Sequence, residues 1–146
     1  GLCDAQGVNL FDCFANSFCL SADVSNAYDP NFPEVSDRRN NSMLNYGVSI
    51  CKYTGSRGKG GASDASAEAM GHIRTTFEKA GVIWQIATLG KVDQGGGGTV
   101  AAYMANRNIV TVDAGVPVLN MHAPAELVSK LDCYETMLAC KAIYLA

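Results

Sequence analysis

The segment that most constrains this 146-residue sequence is Leu20-Ser21-Ala22-Asp23-Val24, a short apolar stretch that carries one carboxylate. It predicts a β-strand that ends by bringing Asp23 to the edge of a sheet, and a turn follows at Asp29-Pro30-Asn31. In open α/β sheets, ligands bind outside such strand ends. The remaining segments are expected to deliver side chains to the same edge.

Strand-like and helix-like segments alternate along the rest of the chain. Alternating or apolar runs predict strands at 19–24, 47–53, 82–87 and 109–112, and helical spacing predicts helices at 8–18, 64–79, 99–106 and 124–144. Ser63 or Asp64 could cap the second helix, and a long surface loop is expected at 28–45. The apolar stripe predicted for the last helix consists of Leu127, Leu131, Tyr134, Leu138 and Ile143. This alternation predicts one α/β domain, a three-layer α/β/α sandwich with a mostly parallel or mixed sheet.

Composition narrows the classes of function. A formal net charge of -3 and scattered basic residues argue against a nucleic-acid partner, and no apolar run approaches the length of a membrane span. The six cysteines form no CxxC pair, so we expect reduced thiols and a cytoplasmic protein. No signal peptide is visible, and the absence of a starting Met suggests a processed or truncated piece.

The first candidate site pairs Asp23 with His122, because each directly follows an apolar segment and precedes a loop. Carboxylate and imidazole groups together suit zinc and related divalent ions. The alternative is purely structural, with Asp23 in a turn and His122 at the start of the last helix. A Ser21, His122 and Asp113 triad carries little weight, since no GxSxG motif exposes the serine.

Two further clusters could bind an acidic group. The run Gly95 to Gly98 precedes a helix, where unobstructed backbone N–H groups could bind an anion, although it matches neither a P-loop nor GxGxxG and could be a plain turn. Lys52 with Arg57 and Lys59 could hold an acidic group, although a solvated basic loop is the favoured interpretation for Arg57 and Lys59. His72 lies inside a predicted helix, and a structural role is expected for it.

Several ordered motifs together resemble one family. They are Leu20-Ser21-Ala22-Asp23-Val24 with Asp29-Pro30-Asn31, the stretches 52–59, 61–65 and 89–99, and Val112-Asp113-Ala114-Gly115 with Leu119-Asn120-Met121-His122. From about Phe11 to Tyr144 the sequence resembles the C-terminal part of the catalytic domain of M18 metalloaminopeptidases, the family of aspartyl aminopeptidase and vacuolar aminopeptidase I. Residues 1–146 are therefore expected to form one segment of such a catalytic domain.

The resemblance implies a co-catalytic two-zinc exopeptidase that releases N-terminal residues from peptides and assembles as a homo-oligomer, a dodecamer. It implies that Asp23 and His122 are metal ligands, one on each ion. It places Lys52 near the substrate, and Gly96 and Gly97 in the wall of the substrate pocket. Aspartyl aminopeptidases carry a His where this sequence has Asn26, which points to a preference for neutral or basic N-terminal residues.

Other parts of the family's site are missing from this sequence. It contains neither the HxD motif nor the adjacent Glu pair that supplies the general base and a further ligand. No catalytic residue is therefore assigned here, and the chain alone is expected to be inactive unless an N-terminal chain complements it. The alternatives are a non-enzymatic remnant that serves as an assembly or interaction module, and an unrelated α/β domain that binds an anion at the glycine run.

Overall fold

The computed structural model describes residues 1–52, 54, 64–91 and 93–146. The elements in chain order are the helices α1 (Leu2–Ala5) and α2 (Leu10–Ala15), strand β1 (Phe18–Asn26), strand β2 (Val48–Cys51), helix α3 (Ala67–Ala80), strand β3 (Trp84–Ala87), helix α4 (Ala101–Ala105), strands β4 (Val110–Leu119) and β5 (Leu127–Val128), and helix α5 (Lys130–Tyr144). The long loop between β1 and β2 contains one 3-10 turn at Pro33–Val35. Arg57, Lys59 and the candidate cap Ser63 lie outside the described residues.

The strands form one mixed sheet in the order β1-β4-β2-β3, with β5 added to β4. β1 runs parallel to β4 and β2 runs parallel to β3, but β2 and β4 are antiparallel. The predicted α/β fold with a mixed sheet is confirmed. The strand directions matter for the site, because the carboxyl end of β2 points away from the carboxyl ends of β1 and β4.

One face of the sheet carries the apolar core. Val48, Ile50, Val112 and Ala114 project from β2 and β4 towards helices α3 and α5. Helix α3 contributes Ala69, Ile73 and Phe77, spaced four residues apart so that they share one side of the helix. Ser66 caps this helix by accepting the N–H of Ala69, and Gly81 ends it at φ +70°. The cap is thus Ser66, not Asp64.

The last helix differs from its prediction in both its start and its buried side. Leu127 and Val128 pair with β4 as a short strand, and Ser129 then caps α5, so the helix begins at Lys130 and not at Pro124. Of the predicted stripe, Leu138 and Ile143 pack against the core, whereas Leu131 and Tyr134 are exposed. The buried apolar positions of the helix are instead Ala139 and Ala142. Small alanines allow the helix to approach the sheet closely, so residue size and not hydrophobicity alone selects the packed side.

The fully buried Asp132 fixes the loop that precedes β2. Its two carboxylate oxygens accept the backbone N–H groups of Asn45 and Gly47, each at 2.8 Å. These bonds satisfy a buried charge and at the same time hold the loop against the first turn of α5. The tether sets where β2 enters the sheet.

Strand β4 is a single ten-residue strand that continues past the predicted end at Val112 and through Pro117. Pro117 is paired with Ser25 on the β1 side. On the other side, pairing with β2 reaches only Gly115, and pairing with β5 begins at Val118. Pro117 therefore lies in a gap between two partners, where its missing N–H breaks no ladder hydrogen bond.

The opposite face of the sheet carries polar side chains and the short helix α4. Alternate residues of a strand point to opposite faces, so Asp113 and Cys51 lie away from the core that holds Val112 and Ile50. Thr99, just before α4, contacts Asp113 on this face. None of the helices in the described part of the chain is long and apolar enough to cross a membrane.

All six cysteines are free thiols, and Cys51 is the one that is fully buried. Burial raises the pKa of the Cys51 thiol; a hydrogen bond with Ser25 acts in the other direction, and the neighbouring Asp113 raises the pKa further. The folded state therefore holds the proton more tightly than the unfolded chain does. Below the pKa of the thiol in the unfolded chain, this difference does not affect the free energy of unfolding. Above that pKa the free energy of unfolding falls, because the thiol ionises more readily in the unfolded chain.

A glycine at position 115 is expected to be indispensable for the sheet. A Cβ on Gly115 would lie 1.5 Å from the backbone oxygen of Asp23 on the paired strand. Gly115→Ala should therefore lower the free energy of unfolding in urea by more than about 3 kcal/mol. Gly71→Ala is the matched control, since a Cβ there meets no atom within 4 Å. Because Gly71 lies in helix α3, Gly71→Ala should raise the free energy of unfolding by about 0.5 to 1 kcal/mol. Similar changes in the free energy of unfolding for both variants would contradict the prediction.

The buried Cys51 thiol predicts a loss of stability at alkaline pH. The free-energy difference between the wild type and Cys51→Ala should decrease as the pH rises from about 8 to about 10, because the unfolded thiol ionises first. Urea denaturation of both proteins at several pH values measures this free-energy difference. The control Cys133→Ala makes the same substitution at an exposed thiol. A constant difference for Cys51→Ala would show that the thiol does not have a raised pKa.

Candidate functional site

A cavity of about 420 Å³ lies where the carboxyl ends of β1 and β4 meet the glycine run. Asp23, Asn26, Gly96, Gly97 and His122 all line it. These are five of the six site residues expected from the sequence. The rest of the wall is formed by further residues of the glycine segment with Thr99, and by the apolar side chains of Val24, Val35, Leu89 and Met121.

Asp23 is held by strand geometry. It lies inside β1, three residues before the strand ends at Asn26, and is paired with Gly115 of β4. Its side chain is exposed, and Oδ1 accepts the N–H of Val24 at 2.7 Å. The close approach of Gly115 to the Asp23 backbone brings the two strands together at this point. The carboxylate therefore projects from the edge strand β1, whose backbone is held by its pairing with β4.

His122 lies in the turn between β4 and β5 and adopts an unusual backbone conformation. Its φ is +70°, and that of Asn120 is +58°, both in the left-handed region. Few non-glycine residues adopt it, and those that do often occur at functional sites. The N–H of His122 donates to the carboxylate of Glu126, which closes the turn. The turn thus directs the imidazole to the cavity that Asp23 also lines.

The glycine run forms one wall of the cavity, and hydrogen bonds hold both ends of the surrounding loop. The N–H of Thr88 donates to the Asn40 carbonyl at 2.7 Å, and the N–H of Lys91 donates to the Val35 carbonyl at 3.1 Å. Gly95 donates to the Lys91 carbonyl at 2.8 Å. The helix that follows has only five residues, so its dipole gives little support to an anion site.

Lys52 does not line this cavity. Its ammonium group pairs with the Asp64 carboxylate and also donates to the Ala65 carbonyl. The reason is the direction of β2: Cys51 is opposite Asp113, so the chain leaves the strand towards the start of β4, whereas the cavity is at the end of β4. The expectation that all strand ends meet at one edge fails for β2 because this strand is antiparallel to β4.

His72 and the imagined triad are separated from the cavity as well. His72 packs edge-on against Phe18, with ring centroids 5.4 Å apart, as expected for a structural histidine. Ser21 and Asp113 lie together in a smaller space beneath Asp23, whereas His122 lines only the larger cavity. The three residues form no catalytic constellation.

Asp113 and Thr99 were not among the predicted site residues, and Asp113 entered as a candidate only in the rejected triad. Asp113 is 6% exposed, and its carboxyl group accepts hydrogen bonds from the hydroxyls of Thr99 and Thr54. An acidic residue inside an apolar strand was the available signal, because a buried carboxyl requires donors close by. Its partner at position 99 could not be identified without the fold.

Asp23 and His122 supply two ligands of the types that zinc binds. In the ranges that the structure describes, no group of three or more His, Cys, Asp or Glu residues could hold a metal ion. The two side chains are thus of the right chemical type to bind a metal ion. Two ligands are too few for a complete metal site.

Comparison with known proteins gives a consistent family. The family model described as "Aminopeptidase I zinc metalloprotease (M18)" matches residues 4–144. A probable M18 family aminopeptidase 1 of Clostridium acetobutylicum is 50% identical over 133 residues, which are 91% of this chain and 29% of that protein. The chain thus spans less than a third of that relative's length.

Solved structures share the fold. The M18 aminopeptidase structure from Thermotoga maritima superposes with a TM-score of 0.90 at 43% identity, covering 96% of this chain and 32% of that one. The mApe1 dodecamer of Saccharomyces cerevisiae shares the fold with a TM-score of 0.75 at 23% identity, covering 94% of this chain and 29% of that one. With a family match over nearly its whole length, this chain belongs to the M18 family of aminopeptidase I zinc metalloproteases.

Proposed function

We propose that this chain is the C-terminal segment of the catalytic domain of a zinc aminopeptidase that releases N-terminal residues from peptides. The observation that carries the proposal is the joint position of Asp23 and His122 on one cavity, in a chain of this family. One ligand projects from a strand and the other from a constrained turn. Such a frame can hold two ligand groups in fixed geometry.

The metal site would be shared with residues that this chain does not contain. Asp23 and His122 would each hold one of two zinc ions, and the remaining ligands and the general base would come from another part of the protein or from another chain. Bound zinc would supply a more acidic water and a polarised peptide carbonyl. The residues of this chain would hold the ions and bind the peptide's N-terminal residue against Asn26 and the glycine wall.

Assembly and location complete the proposal. The dodecameric yeast relative supports a homo-oligomer, although at 23% identity it shows only the fold. The cytoplasmic location expected from the cysteines stays a prediction, and so does a substrate role for Lys52, which would have to leave Asp64 to reach the cavity.

The ligand assignments can be tested in a chimera. Residues 4–144 would replace the matching segment of the Clostridium acetobutylicum relative, which restores the missing two-thirds of the protein. We expect the chimera to bind zinc and hydrolyse aminoacyl-p-nitroanilides, and the 146-residue chain alone to do neither. Asp23→Asn and His122→Gln should each weaken zinc binding by at least about 100-fold, since even supporting residues of metal sites cost 10–100-fold.

The matched controls are Asp12→Asn on α2 and His72→Gln on α3, which make the same chemical changes outside the cavity. Both should retain zinc, as measured by metal analysis of the purified protein. Undiminished zinc in Asp23→Asn and His122→Gln would overturn the ligand assignment. Hydrolysis by the isolated chain would overturn the claim that its site is incomplete, and an inactive zinc-free chimera would favour a purely structural remnant.

Substrate preference depends on Asn26 in this proposal. The described cavity lining contains no Lys or Arg, and its His122 is assigned to a metal ion, so an acidic N-terminal residue would find no cationic partner there. Asn26→His in the chimera should raise kcat/KM for aspartyl relative to leucyl substrate by about tenfold, as expected for one hydrogen bond to a charged group. Asn26→Gln keeps a neutral amide and should leave the ratio unchanged. An equal ratio for all three proteins would exclude Asn26 from substrate selection.

A further inference from the structure

The buried Asp113 and the half-buried Thr99 form a hydrogen-bonded pair beside the candidate site. Asp113 lies on β4, on the face opposite the apolar core, and is 6% exposed. The Thr99 hydroxyl is 2.9 Å from Oδ1 and 3.1 Å from Oδ2 of this carboxyl group. The hydroxyl also accepts the N–H of Ala101 at 3.3 Å, which starts helix α4. One side chain therefore joins the central strand to the segment that enters the helix.

The hydrogen bond between Thr99 and Asp113 holds one end of the glycine run that lines the cavity. Thr99 directly follows Gly95–Gly98, and all five residues line the cavity next to Asp23. At its other end the run is held by the bond from Gly95 to the Lys91 carbonyl. Glycine has more backbone freedom than any other residue, so four in succession form a defined wall only if both ends are fixed.

We infer that Thr99 and Asp113 are positioning residues for the substrate: their hydrogen bond fixes the glycine wall before a peptide binds. This inference rests on the proposed aminopeptidase function. Neither side chain needs to touch the reacting atoms. Asp113 is anchored in a strand paired on both sides, so it offers a rigid point of attachment for the loop. Without the bond, the glycine run would become ordered only when the substrate binds. The free energy needed to order it would then lower the affinity for the substrate.

The test is Thr99→Val, which removes the hydroxyl and keeps the shape of the side chain. In the chimera described above, KM for an aminoacyl-p-nitroanilide should rise about tenfold with kcat within about twofold, because uniform binding is lost. Zinc content should not change. Thr99→Ser retains the hydroxyl and should restore the wild-type KM. If the valine variant does not fold, Thr99→Ala provides the same test.

Thr111→Val is the matched control. Thr111 is a buried threonine on the same strand, and its hydroxyl donates to the Ile109 carbonyl and not to the glycine segment. It should leave KM unchanged even if it lowers the melting temperature. A normal KM in Thr99→Val and Thr99→Ala, or an equal increase in Thr111→Val, would overturn the positioning role.

Hydrogen exchange separates this inference from the proposed function. The amides of Gly95 to Gly98 should exchange at least about tenfold faster in Thr99→Val than in the wild type, and Thr111→Val should not change them. If the wild-type chimera hydrolyses no substrate, the aminopeptidase proposal fails, and exchange still decides whether the bond holds the loop. Unchanged exchange in Thr99→Val would overturn the inference whatever the activity.

Discussion

Strands β1 and β4 approach each other closely at Gly115, and this contact positions both the sheet and the candidate site. Gly115 lies so near the Asp23 backbone that no side chain could be accommodated between them. This contact allows nine consecutive register pairs from Phe18 to Asn26, the longest parallel pairing among the described strands. Because Asp23 lies within that pairing, the position of its carboxylate is set by two strands and not by a loop. The same pairing brings the end of β4, and with it the turn that holds His122, to the cavity.

The two faces of the sheet have separate physical roles. Val48, Ile50, Val112 and Ala114 face the helices α3 and α5 and provide the buried apolar surface that stabilises the domain. The opposite face carries Asp113 and Cys51, whose burial is offset by hydrogen bonds with Thr99 and Ser25. Functional side chains can vary on the polar face without disturbing the helix-packed core. The polar face nevertheless remains tied to the core strands, since Asp113 and Val112 are neighbours in β4.

Loops complete the site, and buried acidic residues hold two of them. Asp132 binds the backbone before β2, and Asp113 binds the threonine that ends the glycine run. In both cases a carboxyl group on a helix or strand accepts hydrogen bonds from a loop. These hydrogen bonds satisfy the buried acid and also order the loop. These connections make a cavity wall of glycine residues compatible with a defined geometry.

The sequence alone predicted the α/β class, most of the element types and five residues that line the cavity, because local periodicity and ordered motifs act over short stretches. These residues are Asp23, Asn26, Gly96, Gly97 and His122. Contacts between residues that are distant in the sequence became defined only in the tertiary structure. It placed Lys52 on Asp64, since strand direction follows from how β2 is tethered and not from its own residues. It exposed Leu131 and buried Ala139, since packing depends on the shape of the facing surface. It also paired Thr99 with Asp113, fourteen residues apart, because only the folded sheet brings a buried acid to the donor it requires.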